Sequence, residues 1–131
     1  MVTDPVADMF TRIRNAIQAK KKAVDIPASN LKKEITRILY ENHYIRKYAF
    51  VDDSKQGVIK ILLKYNENLE SAIQGIQRMS TPGWRRYRKV KELPKVLNSM
   101  GMVIVSTSKG VMTDKECRKM SAGGEIIGKV W

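Results

Sequence analysis

The sequence predicts an α+β fold of two small subdomains, each with a small, mostly antiparallel sheet and short packed helices. Two patterns predict this class. Apolar residues recur at helical spacing in short stretches, and between these stretches apolar and polar residues alternate with a period of two. A polar, turn-like stretch at Asn66–Asn68 separates the two halves. We therefore predict one subdomain at residues 1–66 and a second at residues 67–131.

The charge of the chain indicates a polyanionic partner. Its 131 residues include 25 Lys and Arg against 13 Asp and Glu, a formal net charge of +12. Residues 1–66 hold 13 basic and seven acidic side chains, and residues 67–131 hold 12 and six, so both halves share the surplus. Nucleic acid is the first candidate partner and an anionic membrane the second. The single cysteine, Cys117, excludes an internal disulfide and fits a reducing cytosol.

The first predicted helix has a basic face. Thr3-Asp4-Pro5 predicts its start, because a capping residue precedes a proline. Its apolar stripe consists of Val6, Met9, Phe10, Ile13 and Ile17. Lys20-Lys21-Lys22 is predicted to end the helix, where cations favour the negative end of the helix dipole. Arg12 and Arg14 lie off the stripe, and they are either a solvated basic face or contacts to phosphates.

A short strand around Val24 and Ile26 precedes the second helix. Pro27-Ala28-Ser29-Asn30 breaks that strand and caps the helix. The apolar stripe consists of Leu31, Ile35, Ile38 and Leu39. The other faces hold Lys32, Lys33 and Arg37. Asn42-His43 ends the helix, and this histidine has no acid or cysteine nearby in sequence, so we expect an ordinary surface or hydrogen-bonded residue.

An antiparallel hairpin completes the first predicted subdomain. Residues 44–51 and Val58–Tyr65 are its strands, and Asp52–Gly57 is its turn. Apolar residues fall on every second position of Val58–Tyr65, which is typical of a strand with one buried face.

The second subdomain opens with a basic stretch. We predict a strand at Ile73–Ser80, a turn at Thr81–Gly83 and a partner strand at Trp84–Val90, followed by a short helix at Glu92–Gly101. From Arg78 to Lys91 there are six basic residues and no acid. Guanidinium groups pair with phosphates and flat rings stack on bases. The candidate contacts are Arg85, Arg86, Tyr87 and Arg88. The alternative is a basic hairpin whose aromatic rings pack inward. We favour inward packing for Trp84 and RNA contact for Tyr87.

The last third combines a hydroxyl-rich turn with a glycine pair. The apolar strand Met102–Val105 leads into Ser106-Thr107-Ser108-Lys109-Gly110. Thr113 then caps a short helix, with Glu116 closing a capping box. Gly123-Gly124-Glu125 leads into a final strand. Hydroxyls, a cation and close-approaching glycines suit phosphate oxygens, ribose hydroxyls and base edges. An ordinary polar turn with glycine punctuation is the alternative.

The order of these motifs resembles the bacterial small-subunit ribosomal protein eight family over nearly all 131 residues. The resemblance lies in Ser106–Asp114 followed by Gly123-Gly124-Glu125, in Asp4–Met9 with Thr11–Ala16, in Pro82-Gly83 with Arg85 and Tyr87, and in Glu92–Val96. Departures from the family pattern are Thr81 for a basic residue, Trp84 for an aliphatic one, and Lys129 where an aromatic is common, with Trp131 two residues later.

The resemblance implies a structural, non-enzymatic protein of the small ribosomal subunit in the cytoplasm, acting in translation. It implies a primary binder of the central domain of 16S ribosomal RNA that acts in subunit assembly, with small-subunit ribosomal proteins five and two as neighbours. It also implies repression of the protein's own operon through a messenger RNA that mimics the ribosomal site. No cofactor, metal, membrane or small-molecule substrate is expected.

We expect affinity from basic residues of both halves and specificity from the hydroxyl turn with Glu125. Phosphates repel a carboxylate, so Glu125 fits an RNA site only if it accepts hydrogen bonds from bases or ribose, or braces the turn. A solvated charge is the alternative. The candidate RNA-binding residues are Ser106, Thr107, Ser108, Lys109, Gly110, Gly124, Glu125, Arg85, Arg86, Tyr87, Arg88, Arg12, Arg14 and Lys32.

Enzymatic and membrane-binding alternatives have less support. Ser106 to Lys109 matches the Ser-x-x-Lys pattern of serine acyl-enzymes, but an apolar strand precedes the serine and the partner motifs do not follow. Cys117 has no histidine close in sequence to activate it. A membrane-surface protein would expose large apolar residues along a basic amphipathic helix, whereas these stripes are needed for the core.

Overall fold

The computed structural model describes residues 4–80, 87–89 and 101–131, and it has the predicted α+β fold with two antiparallel sheets. The helices are α1 (Pro5–Gln18), α2 (Asn30–Glu41) and α3 (Asp114–Met120). The strands are β1 (Ala23–Pro27), β2 (Ile45–Val51), β3 (Val58–Leu63), β4 (Ile76–Arg78), β5 (Tyr87–Arg88), β6 (Met102–Thr107), β7 (Gly110–Thr113) and β8 (Gly124–Val130).

The contacts group the chain into two compact units. The N-terminal unit is Asp8–Gln74, and the C-terminal unit comprises the described residues of Met1–Ala7 and Gly75–Trp131. Compactness does not test independent folding, so the division into subdomains at residues 1–66 and 67–131 stays a prediction.

The N-terminal unit has a three-stranded sheet in the order β1-β3-β2. Alternation along β3 buries Ile59, Ile61 and Leu63, as predicted. The helices of this unit bury Met9, Phe10, Ile13, Ile35, Ile38 and Leu39. Ser29 caps α2 by accepting a hydrogen bond from the backbone N–H of Lys32 at 3.3 Å. The predicted stripes and caps therefore produce this core.

Helix α1 begins as predicted but ends earlier. Asp4 caps it, because its Oδ1 accepts a hydrogen bond from Ala7 N at 3.1 Å. The helix ends at Gln18, and Lys20 follows with a left-handed φ of 56°. The prediction that Lys20–Lys22 forms the last turn is wrong, since a left-handed residue cannot continue a right-handed helix.

Strand β8 is the centre of the five-stranded sheet in the C-terminal unit. Strand β6 pairs along one side of it, β4 and β5 pair along the other, and β7 extends the sheet beyond β6. One face buries Val103, Val105, Met112, Ile126 and Cys117 of α3. The free thiol of Cys117 is thus part of the core, and burial raises its pKa.

One prediction for this unit is wrong, and one strand was missed. We expected Ile73–Ser80 to pair with Trp84–Val90, but β4 and β5 both pair with β8. The seven residues of β8 offer a long ladder, whereas β4 and β5 have only three and two residues to offer each other. Strand β7 was not predicted. The turn at Thr81–Gly83, Trp84 and the predicted helix from Glu92, apart from its end at Gly101, lie outside the described residues.

The chain ends against Gly75. Backbone hydrogen bonds join Gly75 N to Trp131 O at 2.9 Å and Trp131 N to Gly75 O at 3.0 Å. A Cβ on Gly75 would come within 2.2 Å of the Trp131 indole, so the ring lies directly on the glycine. Lys129 places its Nζ 5.5 Å from the centre of the same ring. These two departures from the family pattern therefore have a packing role here.

Candidate nucleic-acid interface

The hydroxyl-rich stretch forms the end of the β6–β7 hairpin. Strand β6 continues through Ser106 and Thr107, and Thr107 faces Gly110 as the last pair before a two-residue turn. The Thr107 hydroxyl donates to Gly110 O at 2.8 Å and accepts from Lys109 N at 3.1 Å. Gly110 has φ 115°, a conformation that favours glycine. Thr107 therefore braces the turn, and Ser108, Lys109 and Gly110 are exposed at its tip.

Four residues from four strands form one line across the sheet, which we name the cross-strand row. Glu125 lies opposite Tyr87 on one side and Ser106 on the other, and Ser106 lies opposite Val111. Side chains at facing positions project from the same face. This face is opposite the Cys117 core, because the neighbouring pair of Val105 and Ile126 belongs to that core.

The cross-strand row places a carboxylate in a protected position beside an accessible ring. Glu125 is 9% exposed, Tyr87 is 63% exposed and Ser106 is half-buried. The row therefore places a shielded carboxylate and a half-buried hydroxyl next to an aromatic ring that is open to solvent.

Gly124 allows the two central strands to approach closely at the row. A Cβ at this position would lie 2.2 Å from Ser106 O and 3.2 Å from Thr107 Cα. These are backbone atoms, which cannot rotate away. Gly124 is therefore required for the register that brings Glu125 beside Ser106.

Asp114 anchors the base of the hairpin, and the sequence analysis did not identify it. Its buried carboxylate accepts from Val103 N at 3.0 Å and from Arg118 Nη1 at 2.8 Å. Beside it, Thr113 Oγ1 accepts from Glu116 N at 3.2 Å, which confirms the predicted cap of α3. An aspartate directly after an N-cap is usually explained by its favourable interaction with the helix dipole alone. Here it also joins α3 to β6.

The structure brings Tyr87 and Arg88 to the glycine pair, which sequence reasoning had placed on a separate hairpin. Tyr87 lies opposite Glu125, and the exposed Arg88 lies opposite Gly124. Arg78, the first cation of the basic stretch, has a structural role: its Nε bonds Asp4 Oδ2 at 3.0 Å and its Nη1 bonds Ile127 O at 2.6 Å. Arg85 and Arg86 lie outside the described residues.

The remaining candidate cations belong to the N-terminal unit. Arg12 and Arg14 are exposed on α1, and Arg12 Nε bonds Asp8 Oδ2 at 2.8 Å. A groove of about 830 Å³ lies beside Arg12, and its charged lining residues are Arg12, Lys21, Lys60 and Asp25. This surface has more cations than acidic groups, and Arg12 is held by an exposed ion pair, which suits phosphate contacts rather than base recognition.

Lys32 does not lie on an open face, contrary to expectation. It is 4% exposed, and desolvation by burial lowers the pKa of its amine, with the nearby Asp8 raising it in part. Its position in the first turn of α2 turns the side chain inward, although its sequence neighbours Leu31 and Lys33 are half-buried. The predicted contact between Lys32 and RNA stays a prediction.

Comparison with known families identifies the chain. A family model described as Ribosomal protein S8 matches residues 4–131. The chain belongs to the ribosomal protein S8 family. A relative from Lactobacillus helveticus is 56% identical over 131 residues, covering 100% of this chain and 99% of the relative. A relative from Parabacteroides distasonis is 55% identical, covering 99% and 100%. One from Staphylococcus epidermidis is 53% identical over 130 residues, covering 99% and 98%. Each is named small ribosomal subunit protein uS8.

Membership of the ribosomal protein S8 family makes the chain a structural protein of translation, located in the small ribosomal subunit in the cytoplasm, and not an enzyme. Among the described residues, no three His, Cys, Asp or Glu side chains cluster in a way that could hold a metal ion. No helix within the described ranges is long and apolar enough to cross a membrane.

Proposed function

We propose that this protein is a primary binder of the central domain of 16S ribosomal RNA and that it acts in assembly of the small subunit. The observation that supports this most is the cross-strand row at the base of the exposed hairpin tip. There, the shielded Glu125 lies between the exposed ring of Tyr87 and the hydroxyl of Ser106. Such a surface combines a base-stacking ring with shielded hydrogen-bonding groups, and specific RNA recognition uses both kinds of contact.

Each residue of this surface has a distinct role in the proposal. The ring of Tyr87 stacks on an unpaired base or supports a ribose. Ser108 at the tip offers a hydroxyl to a base edge or a ribose, and Lys109 pairs with a phosphate. Glu125 accepts from a base amino group or a 2′-hydroxyl, or holds Ser106 in place for such a contact.

Affinity comes mainly from the cations. Arg88 stands beside Gly124, and the basic stretch continues in sequence through Arg85 and Arg86. In the N-terminal unit, Arg12 and Arg14 add phosphate contacts. Phosphate contacts release counterions, so the overall affinity falls as salt rises. The hairpin tip at Ser108 and the cross-strand row then make binding to the cognate RNA tighter than binding to other RNA.

Two further parts of the proposal follow from the family resemblance. We propose small-subunit ribosomal proteins five and two as neighbours in the assembled particle. We also propose that the protein represses its own operon, because a messenger RNA that copies the shape of the ribosomal site would meet the same residues. Competition between the operon's messenger RNA and the central-domain fragment for the parent protein tests that role.

The decisive test replaces Glu125 by glutamine, which keeps the shape of the side chain and removes its charge. We expect Glu125→Gln to weaken binding to a central-domain fragment by on the order of 1–3 kcal/mol. Binding to unrelated RNA of equal length should stay equal or improve, because a negative charge is lost from a positive protein. The measurement is the Kd for both RNAs at one salt concentration.

The matched control is Glu116→Gln, which removes the same charge from an exposed position on α3. It should leave discrimination between the two RNAs unchanged. If Glu125→Gln binds the cognate fragment as tightly as the parent, Glu125 is only a charge and the proposed recognition surface is wrong. A melting curve for each variant excludes loss of the fold as the cause.

A further inference from the structure

The outer edge of the N-terminal unit has a cluster of aromatic rings that the RNA proposal does not use. Tyr40 of α2 meets Tyr48 of β2 edge-on at 5.4 Å between ring centres, and Tyr48 meets Phe50 at 5.3 Å. Lys33 Nζ lies 5.2 Å from the centre of the Phe50 ring. Despite these contacts Phe50 is 49% exposed, and Tyr40 and Val51 are also exposed. We name Tyr40, Tyr48, Phe50 and Val51 the aromatic edge.

The sheet order explains why this apolar surface is open. Tyr48 lies opposite Ile61 and Phe50 opposite Ile59, so both rings share the face of the buried isoleucines. Strand β2 is last in the order β1-β3-β2, so the apolar face continues past the core to the sheet edge. The aromatic edge is therefore an extension of the core that no other described residues cover fully, since Phe50 stays about half exposed.

The two halves of β2 differ in their protection. Exposed edge strands invite pairing with other chains, and proteins usually blunt them with charges and bulges. The first half has both devices, namely a register irregularity between Ile45 and Lys47 and the cations Arg46 and Lys47. The second half, Tyr48–Val51, has no charge and no irregularity. The second half of β2 is therefore an unprotected edge with which a strand of another chain can pair.

Local charge indicates what kind of partner this is. Residues 33–55 hold five basic side chains (Lys33, Arg37, Arg46, Lys47 and Lys55) and four acidic ones (Glu34, Glu41, Asp52 and Asp53), so their net charge is +1 in a chain of charge +12. Arg37 is held by Glu34 at 2.8 Å and by Glu41 at 2.7 Å. A polyphosphate gains little from such a surface, whereas aromatic residues and balanced charges are typical of protein interfaces.

We propose that the aromatic edge is a docking site for an extended, uncharged and apolar segment of another small-subunit protein. The segment pairs its backbone with Tyr48–Val51 as an added strand, and its apolar side chains pack against Phe50 and Tyr40. This proposal rests on the proposed function only in placing the partner within the small subunit. We infer a protein rather than RNA as the occupant, because acidic side chains nearly balance the cations at this edge.

The test uses a photoreactive benzoylphenylalanine at position 50 or at position 87, in small subunits reconstituted from the complete set of RNA and proteins. We expect position 50 to cross-link to an apolar segment of one small-subunit protein, identified by mass spectrometry, and position 87 to cross-link to 16S RNA. Cross-links from position 50 to RNA, to a second copy of this chain, or to nothing would overturn the docking proposal. Absence of RNA cross-links at position 87 would instead count against the RNA site.

The second measurement asks whether the contact stabilises the assembly. The protein cross-linked at position 50 is purified and titrated against the complex of this chain with the central-domain fragment. Phe50→Lys should weaken that binding about tenfold, because an ammonium group replaces an anchoring ring. Met120→Lys, at a 46% exposed position on α3, makes a comparable change away from the edge and should have no effect. Equal binding by Phe50→Lys and the parent would refute the proposal.

Discussion

The C-terminal and N-terminal units each have a polar surface, and the two surfaces hold their side chains differently. The first is the hairpin corner, which consists of the β6–β7 turn and Asp114, and the second is the α1 surface, which consists of Arg12 and Arg14. At the corner, Thr107 braces the turn and Asp114 joins α3 to β6 through internal hydrogen bonds. On α1, Arg12 is held by an exposed pair with Asp8. Exposed ion pairs stabilise little and rearrange readily. Fixed groups can discriminate between RNAs, whereas mobile cations add affinity for any of them.

The comparison predicts the largest effect at Asp114. Asp114→Ala should lower the free energy of unfolding by about 3 kcal/mol, because it leaves Val103 N–H without its acceptor and Arg118 without its carboxylate. Urea unfolding at neutral pH measures this. Glu116→Ala, at an exposed position in the same helix, should cost clearly less. Equal losses for the two variants would show that the corner is no more rigid than the surface.

Gly124→Ala should disturb both the fold and the RNA site. The added Cβ meets the backbone of Ser106 and should cost roughly 1–3 kcal/mol of stability, with a loss of discrimination between cognate and unrelated RNA. Gly75→Ala is the control, because the atoms nearest to its added Cβ belong to the Trp131 side chain and not to the backbone of the RNA site. If Gly75→Ala impairs discrimination as much as Gly124→Ala, then general destabilisation explains the loss.

Ser108→Ala tests the tip of the hairpin without touching its support. We expect cognate affinity to fall by about 1 kcal/mol, the usual loss for one specific hydrogen bond, and binding to unrelated RNA to change little. The melting temperature should stay the same because Ser108 is exposed. Filter binding with both RNAs at one salt concentration measures the effect. An equal loss for both RNAs would place Ser108 among the non-specific contacts.

Arg14→Ala should differ from Ser108→Ala, because it should cause a small loss of affinity that is the same for every RNA. Removing one phosphate contact should reduce the slope of log affinity against log salt by about one. A salt titration with cognate and unrelated RNA measures that slope. An unchanged slope would mean that this face of α1 is merely solvated.

Lys32→Met should raise the free energy of unfolding at neutral pH, and it also tests the predicted contact between Lys32 and RNA. Burial lowers the pKa of the amine below 10.5, so the folded state disfavours the charged form. This penalty is fully present below the folded pKa and disappears as pH rises through 10.5, where the unfolded chain also releases its proton. The advantage of Lys32→Met in urea unfolding should therefore shrink towards pH 10.5. Weaker RNA binding by this variant would support Lys32 as an RNA contact, and unchanged binding would exclude it.

Local features were predictable from the sequence because they depend on neighbours along the chain. The cap at Ser29, the cap at Thr113 and the alternation along β3 each arise within a few residues, and all three are confirmed. Charge surplus and motif order similarly indicated an RNA-binding ribosomal family, and family membership is confirmed. Periodicity also predicted the α+β class correctly.

Only the tertiary structure decided which distant residues meet. The pairing of Tyr87 with Glu125 joins positions 38 residues apart, and it replaced a predicted hairpin because β8 offers a longer ladder. The burial of Lys32 and the bond from Val103 to Asp114 likewise depend on elements that pack from elsewhere in the chain. Spacing along the sequence specifies which face of an element is apolar. Which strands pair and which polar groups are buried depends on how all the elements of a unit pack together.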